Sequence, residues 1–476
     1  MPSPRRLALA VIVVASAACS PSTPAGPTAR NCSLAAASPP DWRLRADGTH
    51  LRDGLGRVVL LRGVNAGGRS KFAPFMPFDF TAQDFDARLA AYLDRARSWG
   101  IDAMRVPFTW AAVEPVQGTD DEAFLKRYDA LVEGAWARGI WVVVDFHQDI
   151  YAEALCGDGF PAWTLPGTPP APHHDCAAWS FEYFKNADVL AAFDRLWADG
   201  SPVQAALASM WDRMVARYKD RPGIAGFEVI NEPAAGSADP GPFEATILTD
   251  FYSKMVARIR GAAPGALVFV DPLGVDGAFL TTTLKRPVGD GIVFAPHYYA
   301  IGTQDPSAVT ERMQVWADVG KAWNAPVFVG EFGTSYLNNS ALPYMSGHFA
   351  ALDALGLSGT EWEYSVAKEG WNFETGGLVA DDGTERPVAG AVQRPFARAV
   401  AGDAIRTAFD ADSRVFTLDF TATSADVTEV SLPVRAYPKG VDLSLSGACV
   451  DASHPGELRI QADAPGKAVS LRVTTR

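Results

Sequence analysis

Positive charge is scarce in this chain: 42 Lys and Arg stand against 55 Asp and Glu, a net charge of −13 at pH 7. Polyanions are bound by clustered cations, so the balance argues against a nucleic-acid partner and against charge-driven attraction to anionic lipid. Neutral and amphiphilic substrates stay open. No glycine-rich phosphate loop opens any helical segment, which weakens a doubly wound open sheet as the fold. No internal repeat is evident. The apolar run near the start, Leu7 to Val14, falls short of the roughly 20 residues of a membrane helix. Cysteine is sparse, with five residues in 476.

What is present supports a substantial core. Hydrophobic residues make up 48% and charged residues 20%, enough for one large domain plus a small one. Thirteen Trp and 26 Phe supply core volume, and Trp also stacks well on sugar faces. Arg5 and Arg6 precede the apolar run, and Ala15-Ser16-Ala17-Ala18-Cys19 follows it with small residues. That is the layout of an export signal over residues 1–19. Cys19 behind small residues resembles a bacterial lipoprotein signal, although Ser16 stands where an aliphatic residue is usual. An envelope lipoprotein or a plainly secreted protein is expected. Setting Cys19 aside leaves Cys32, Cys156, Cys176 and Cys449, which an exported chain can oxidise. Four cysteines allow three pairings. Cys156 and Cys176 share one loop region and are expected to pair. Cys32 and Cys449 would then tie an N-terminal arm to the C-terminal domain. Free buried thiols are the alternative.

Residues 20–40, rich in Ser, Pro, Ala and Thr, read as a tether. From 41 to 402 strand and helix patterns alternate. Eight strands are expected at Val58–Asn65, Ile101–Phe108, Gly139–His147, Ile224–Asn231, Leu267–Asp271, Gly291–His297, Pro326–Phe332 and Ser358–Glu363. Thr81 with Asp84 reads as a capping box, followed by Phe85, Leu89, Tyr92, Ala96 and Trp99 at helical spacing. The α/β class, as a (β/α)8 TIM barrel, accounts for this alternation. The stretch 149–220 exceeds a minimal crossover and is expected to be a functional insertion. Residues 403–476 hold short alternating strands between turn clusters, the pattern of a small antiparallel β-sandwich.

Two strand candidates end on glutamate: Val229-Ile230-Asn231-Glu232 and Val327-Phe328-Val329-Gly330-Glu331. In a (β/α)8 barrel the carboxyl ends of strands carry the active site. Four further strand ends carry Arg105, His147, His297 with Tyr299, and Trp362. Any one of these is more often structural; six strands ending so is hard to call accidental. Two carboxyls at one rim suit cleavage of a glycosidic bond, one as proton donor and one as nucleophile. Arg105 and Tyr299 would hold a carboxylate ionised, Asn231 would bind the sugar 2-hydroxyl, and His147 and His297 would hold hydroxyls or orient the acid. Trp362 offers a flat face to a sugar ring.

The ordered set Arg, His, Asn-Glu-Pro, His-x-Tyr, Gly-Glu-Phe-Gly and Trp resembles glycoside hydrolase family 5, over about 340 residues. The resemblance implies a retaining β-glycosidase with Glu232 as acid/base and Glu331 as nucleophile. Val144-Asp145-Phe146-His147-Gln148-Asp149-Ile150-Tyr151, Gly159-Phe160-Pro161-Ala162-Trp163, Leu61-Arg62-Gly63-Val64-Asn65 and the end of the barrel at Arg386 to Gly402 are similar to the endoglycoceramidase branch. It implies release of an intact glycan from ceramide, sugar contacts from Lys71 and Asp149, and a C-terminal β-sandwich. Departures are the cysteine-bearing loop after Tyr151 and the acidic residues Glu361 and Glu363 flanking Trp362.

Other features are weighed against plainer readings. Phe72 to Phe80 carries four Phe and one Met, either an exposed acyl-chain groove or a cover for the barrel. His173-His174-Asp175-Cys176 has metal-ligand types but lacks a second ligand cluster, and no metal is expected. No cofactor is expected, because two carboxyls and water suffice. The expected partner is a glycolipid or oligosaccharide, met by a monomer, with contact at a membrane surface through the anchor and the substrate. An endoglycanase of cellulase or mannanase type, an exo-β-glucosidase acting on steryl or other hydrophobic-aglycone glucosides, and a non-catalytic lectin are the rival readings. The last has no use for both glutamates.

Overall fold

The computed structural model describes residues 29–38, 41–302, 304–367 and 370–476. The export signal, Cys19 and the first part of the tether lie outside the described residues. The eight barrel strands are β1 (Arg62–Asn65), β2 (Ala103–Phe108), β3 (Trp141–Phe146), β4 (Ile224–Glu228), β5 (Val268–Val270), β6 (Ile292–Phe294), β7 (Phe328–Phe332) and β8 (Ser358–Glu361). All pair in parallel, in the order β6-β5-β4-β3-β2-β1-β8-β7. Parallel bridges Phe294–Val327 and Tyr298–Phe332 join β6 to β7 and close the ring. Every residue of β2, β3, β4 and β7 is buried, as strands covered on both faces must be.

The first expected strand is split. Val58–Val59 pairs antiparallel with Phe396–Val400, and only Arg62–Asn65 enters the barrel. The helix Phe85–Trp99 buries Leu89, Tyr92, Ala96 and Trp99. Asp84 reaches back to the Thr81 N–H and hydroxyl, which is half of the expected box, and the helix begins after it. In the Phe72–Phe80 loop, Met76 and Phe78 are buried and Phe75 and Phe80 pack against the same core. The loop therefore covers the barrel and is not an exposed apolar patch.

The sandwich is not built from the C-terminal residues alone. Its four-stranded sheet holds Gly402–Asp410, Val415–Ala422, Ala468–Thr475 and Val441–Ser446. The facing sheet takes strands from both ends of the chain: Phe396–Val400 is flanked by Thr428–Ser431 and by Val58–Val59. One core joins the two sheets, with Val58 and Leu60 beside Phe416, Leu418 and Val450. The residues read as a tether include an edge strand, Arg30–Asn31, parallel to Ala448–Asp451. Next to it Cys32 is bonded to Cys449, while Cys156 is bonded to Cys176 in the insertion. The sandwich meets the barrel ahead of β2 and β3. Ser431 Oγ donates to Gly100 O at 2.7 Å and Arg398 to Gly139 O at 2.6 Å. Gly100 has φ +87°, and a Cβ there would lie 2.2 Å from Pro433, so only glycine fits both the turn and the contact.

Replacing both Cys32 and Cys449 with Ser frees a 417-residue separation. The expected loss is about 2–4 kcal/mol of stability, read as a lower thermal midpoint. Turnover at 25 °C is expected to persist, because the bond lies in the sandwich, which meets the barrel at the end opposite the strand carboxyl termini.

Candidate active site

Arg105, on β2, is fully buried and sits at the centre of the rim. Its guanidinium donates to both oxygens of Glu228 at 2.8 Å, to Glu331 Oε1 at 2.7 Å, to Asn65 Oδ1 at 3.0 Å and to Asn231 Oδ1 at 2.7 Å. Asp145 Oδ2 lies 3.1 Å away. Burial opposes its charge, but Asp145, Glu228 and Glu331 hold its pKa well above the usual arginine value.

Glu331 accepts from Arg105 on one oxygen and from the Tyr299 hydroxyl, at 2.8 Å, on the other. Burial pushes its pKa up, but His297, Arg105 and His147 outweigh burial and bring it below the ordinary value. Glu232 stands four residues beyond the end of β4, at φ +40°. Its N–H donates to Asp271 Oδ2 at 2.8 Å and its carboxyl meets His297 Nδ1 at 2.8 Å. Burial raises its pKa, with Glu331 and Asp149 adding and His297 opposing. Carboxylate oxygens of Glu232 and Glu331 lie within 4.8 Å of each other. Retaining glycosidases separate their carboxyl groups by about 5–5.5 Å and inverting ones by about 6.5–9.5 Å. The two groups thus share one small site, one environment favouring the protonated form and the other the ionised form. Gly330 is required beside them, since a Cβ there would lie 2.9 Å from His297 Nε2.

His147 follows β3. Its Nδ1 is 2.9 Å from Asp145 and its Nε2 3.4 Å from Asp149, and its ring stacks on Trp362 at 5.1 Å and 10°. Trp362 is 5% exposed. Lys71 Nζ donates to Asp149 at 2.7 Å and to Glu374 at 3.3 Å. It also lies over the rings of Trp371 at 3.8 Å and Trp362 at 4.6 Å. Burial lifts the Glu374 pKa to about 7, against the Lys71 charge.

All ten residues singled out at the rim therefore fall into two adjoining networks. Arg105, Asn231, Glu232, His297, Tyr299 and Glu331 form one; Lys71, His147, Asp149 and Trp362 form the other. Reading the sequence missed Asn65, Glu228, Asp271, Trp371 and Glu374. Asn65 and Asp271 stand at strand ends and Glu228 puts a charge in an apolar run, so each left a signal. Trp371 and Glu374 lie in the loop after β8 and left none. Two of the networks' clusters, His147–Asp149–Asp158 and Glu232–His297–Glu331, carry metal-ligating groups within 4.8 Å. Lys71 already neutralises Asp149 and Arg105 already neutralises Glu331, which disfavours a cation in either. Cys156 and Cys176 are bonded to one another and so cannot serve as thiolate ligands with His173 and Asp175.

A closed parallel barrel with two close carboxyls at the ends of β4 and β7 is the arrangement of a glycoside-cleaving enzyme. Residues 66–368 match the Cellulase (glycosyl hydrolase family 5) model, and residues 394–473 match the glycoside hydrolase family 5 C-terminal domain. The chain belongs to glycosyl hydrolase family 5 and is a glycoside hydrolase. It is 28% identical over 461 residues to endoglycoceramidase I of Rhodococcus hoagii, covering 90% of this chain and 87% of that one. It is 25% identical over 417 residues to an endoglycoceramidase of Cyanea nozakii, covering 79% and 80%. The solved structure of endo-glycoceramidase II from Rhodococcus sp. superposes with a TM-score of 0.74 at 26% identity, covering 90% of this chain and 99% of that one.

Lysine in place of Arg105 keeps the charge but loses the planar fork. The Arg105→Lys variant is expected to lower kcat/KM on the order of a hundredfold. Because Arg105 depresses the Glu331 pKa through its charge, which lysine keeps, the acid limb of the pH profile is expected to move little.

Proposed function

We propose that this chain is a retaining endoglycoceramidase, hydrolysing the β-bond between an intact glycan and ceramide. The observation that carries the reading is similarity to endoglycoceramidases along 90% of the chain, sandwich included. The geometry supports it. Glu331, ionised and held by Arg105 and Tyr299, attacks the anomeric carbon. Glu232 gives its proton to the departing ceramide oxygen, leaving a glycosyl–Glu331 ester. Glu232 then takes a proton from water, whose oxygen displaces Glu331 and releases the glycan in the β configuration. Asn231, anchored by Arg105, presents its amide to the sugar 2-hydroxyl. His147, Lys71 and Asp149 hold other hydroxyls, and Trp362 backs the ring. His297 orients Glu232.

The lipid side of the reading rests on exposed side chains. Phe181 and Phe184 on the insertion, Phe279 after β5, Ile301 after β6, Leu337 after β7 and Phe373 after β8 are all exposed. These loops follow the carboxyl ends of the strands, where apolar groups suit an aglycone and the lipid surface that carries it. Export as a lipoprotein through Cys19, or as a secreted monomer, fits two disulfides and a substrate met outside the cytoplasm.

Mass spectrometry after incubation with mixed glycosphingolipids is expected to give intact oligosaccharide plus free ceramide. Shortened soluble β-glucan with untouched lipid would move the function to an endoglycanase. Proton NMR at early times is expected to find the β-anomer first. Glu331→Gln and Glu232→Gln are each expected to lower turnover by at least about 100-fold while the fold persists. Activity is expected to fall at low pH as Glu331 gains a proton and at high pH as Glu232 loses one, because the first pKa is depressed and the second raised.

A further inference from the structure

Glu232 occupies the left-handed region, at φ +40°, which a non-glycine residue adopts only at an energetic cost. Such a conformation persists only where the surroundings enforce it. We propose that Gln148, braced by Tyr183 from the insertion, is the positioning residue that enforces it and so aims the Glu232 carboxyl. The inference rests on Glu232 acting as the acid/base.

The contacts clamp this residue from both sides. The Glu232 N–H is taken by Asp271 at 2.8 Å. Its carbonyl accepts from Gln148 Nε2 at 2.9 Å, and the same amide nitrogen reaches the Asn231 carbonyl at 2.9 Å. Asn231 returns the contact, its Nδ2 donating to the Gln148 carbonyl at 3.0 Å. Gln148 is fully buried. Its Oε1 accepts from Tyr151 N at 3.1 Å, which fixes the amide orientation so that the NH2 faces the two carbonyls. A Cβ on Gly159 would lie 2.3 Å from Gln148 Cβ, so the glycine leaves room for this side chain. The Tyr183 hydroxyl accepts from Ile150 N at 2.9 Å and lies 3.4 Å from Gln148 Nε2. The insertion is thereby wired to the acid through one phenol and one amide. A carboxylate at position 148 would face two carbonyls and find no donor in them, and an apolar side chain would leave both unpaired.

The consequence is specific to proton donation. A misaimed Glu232 still leaves Glu331 able to attack, so substrates that need no proton should be spared. Gln148→Met is expected to lower kcat/KM by about 10- to 100-fold on an alkyl β-glycoside. The expected loss on the matching 2,4-dinitrophenyl glycoside is less than about threefold in the first turnover. Added azide should speed release of the glycosyl intermediate, as it should for Glu232→Gln measured alongside. Tyr183→Phe, which leaves the buried amide in place, is expected to show the same leaving-group dependence at about threefold. It decides the matter if the Met variant fails to fold. Equal losses on both substrates, or no loss, with Glu232→Gln leaving-group dependent, would overturn the role of Gln148 alone. A Glu232→Gln variant with no such dependence would overturn the acid/base assignment itself.

Discussion

One buried cation organises this rim. The Arg105 guanidinium ties together five strands, through Asn65 on β1, its own place on β2, Asp145 on β3, Glu228 on β4 and Glu331 on β7. Removing one partner from such a buried network leaves charge uncompensated, at about 3–5 kcal/mol. Its value is therefore less in net stability than in geometry: a planar fork with five donors admits few arrangements of its acceptors. Glu228 takes two of them and so fixes the guanidinium plane. The remaining directions set where Asn231 and Glu331 stand.

From that constraint follows the division between the two reactive carboxyls. Glu331 sits against Arg105 and Tyr299 and close to His297, in a field that favours its charge. Glu232 is one position further from the cation and bonded to His297, and burial dominates it. The same fold thus favours the ionised form of one carboxyl and the protonated form of the other within a few ångströms. Lys71 does for Asp149 what Arg105 does for Glu331, with Trp362 and Trp371 closing over the ammonium. The two networks meet at Asp145, which contacts both Arg105 and His147.

The sandwich belongs to both ends of the chain. Val58–Val59 and Phe396–Val400 pair immediately before β1 and after the barrel's last turn, so the domain seals the ring's ends together. Val58–Asn65 reads as one strand because its apolar residues run on without a break in period. Nothing local marks the bend between Val59 and Arg62, which exists because two sheets compete for one segment. The strand Gly402–Asp410 shows no clean alternation, since exposed Asp403 and Ala404 interrupt it.

By itself the sequence indicated where the barrel strands run and which polar or aromatic residues stand at their ends. Each is local: a buried parallel strand must be apolar, and a charge can end it only where it opens to the rim. Tertiary structure alone decided which of those residues touch. Glu228 holding Arg105, Asp271 and Gln148 clamping Glu232, and Glu374 reaching Lys71 join residues 39 to 303 positions apart. No local pattern encodes such contacts, because closing the barrel brings all eight strand ends to one ring whatever their spacing along the chain.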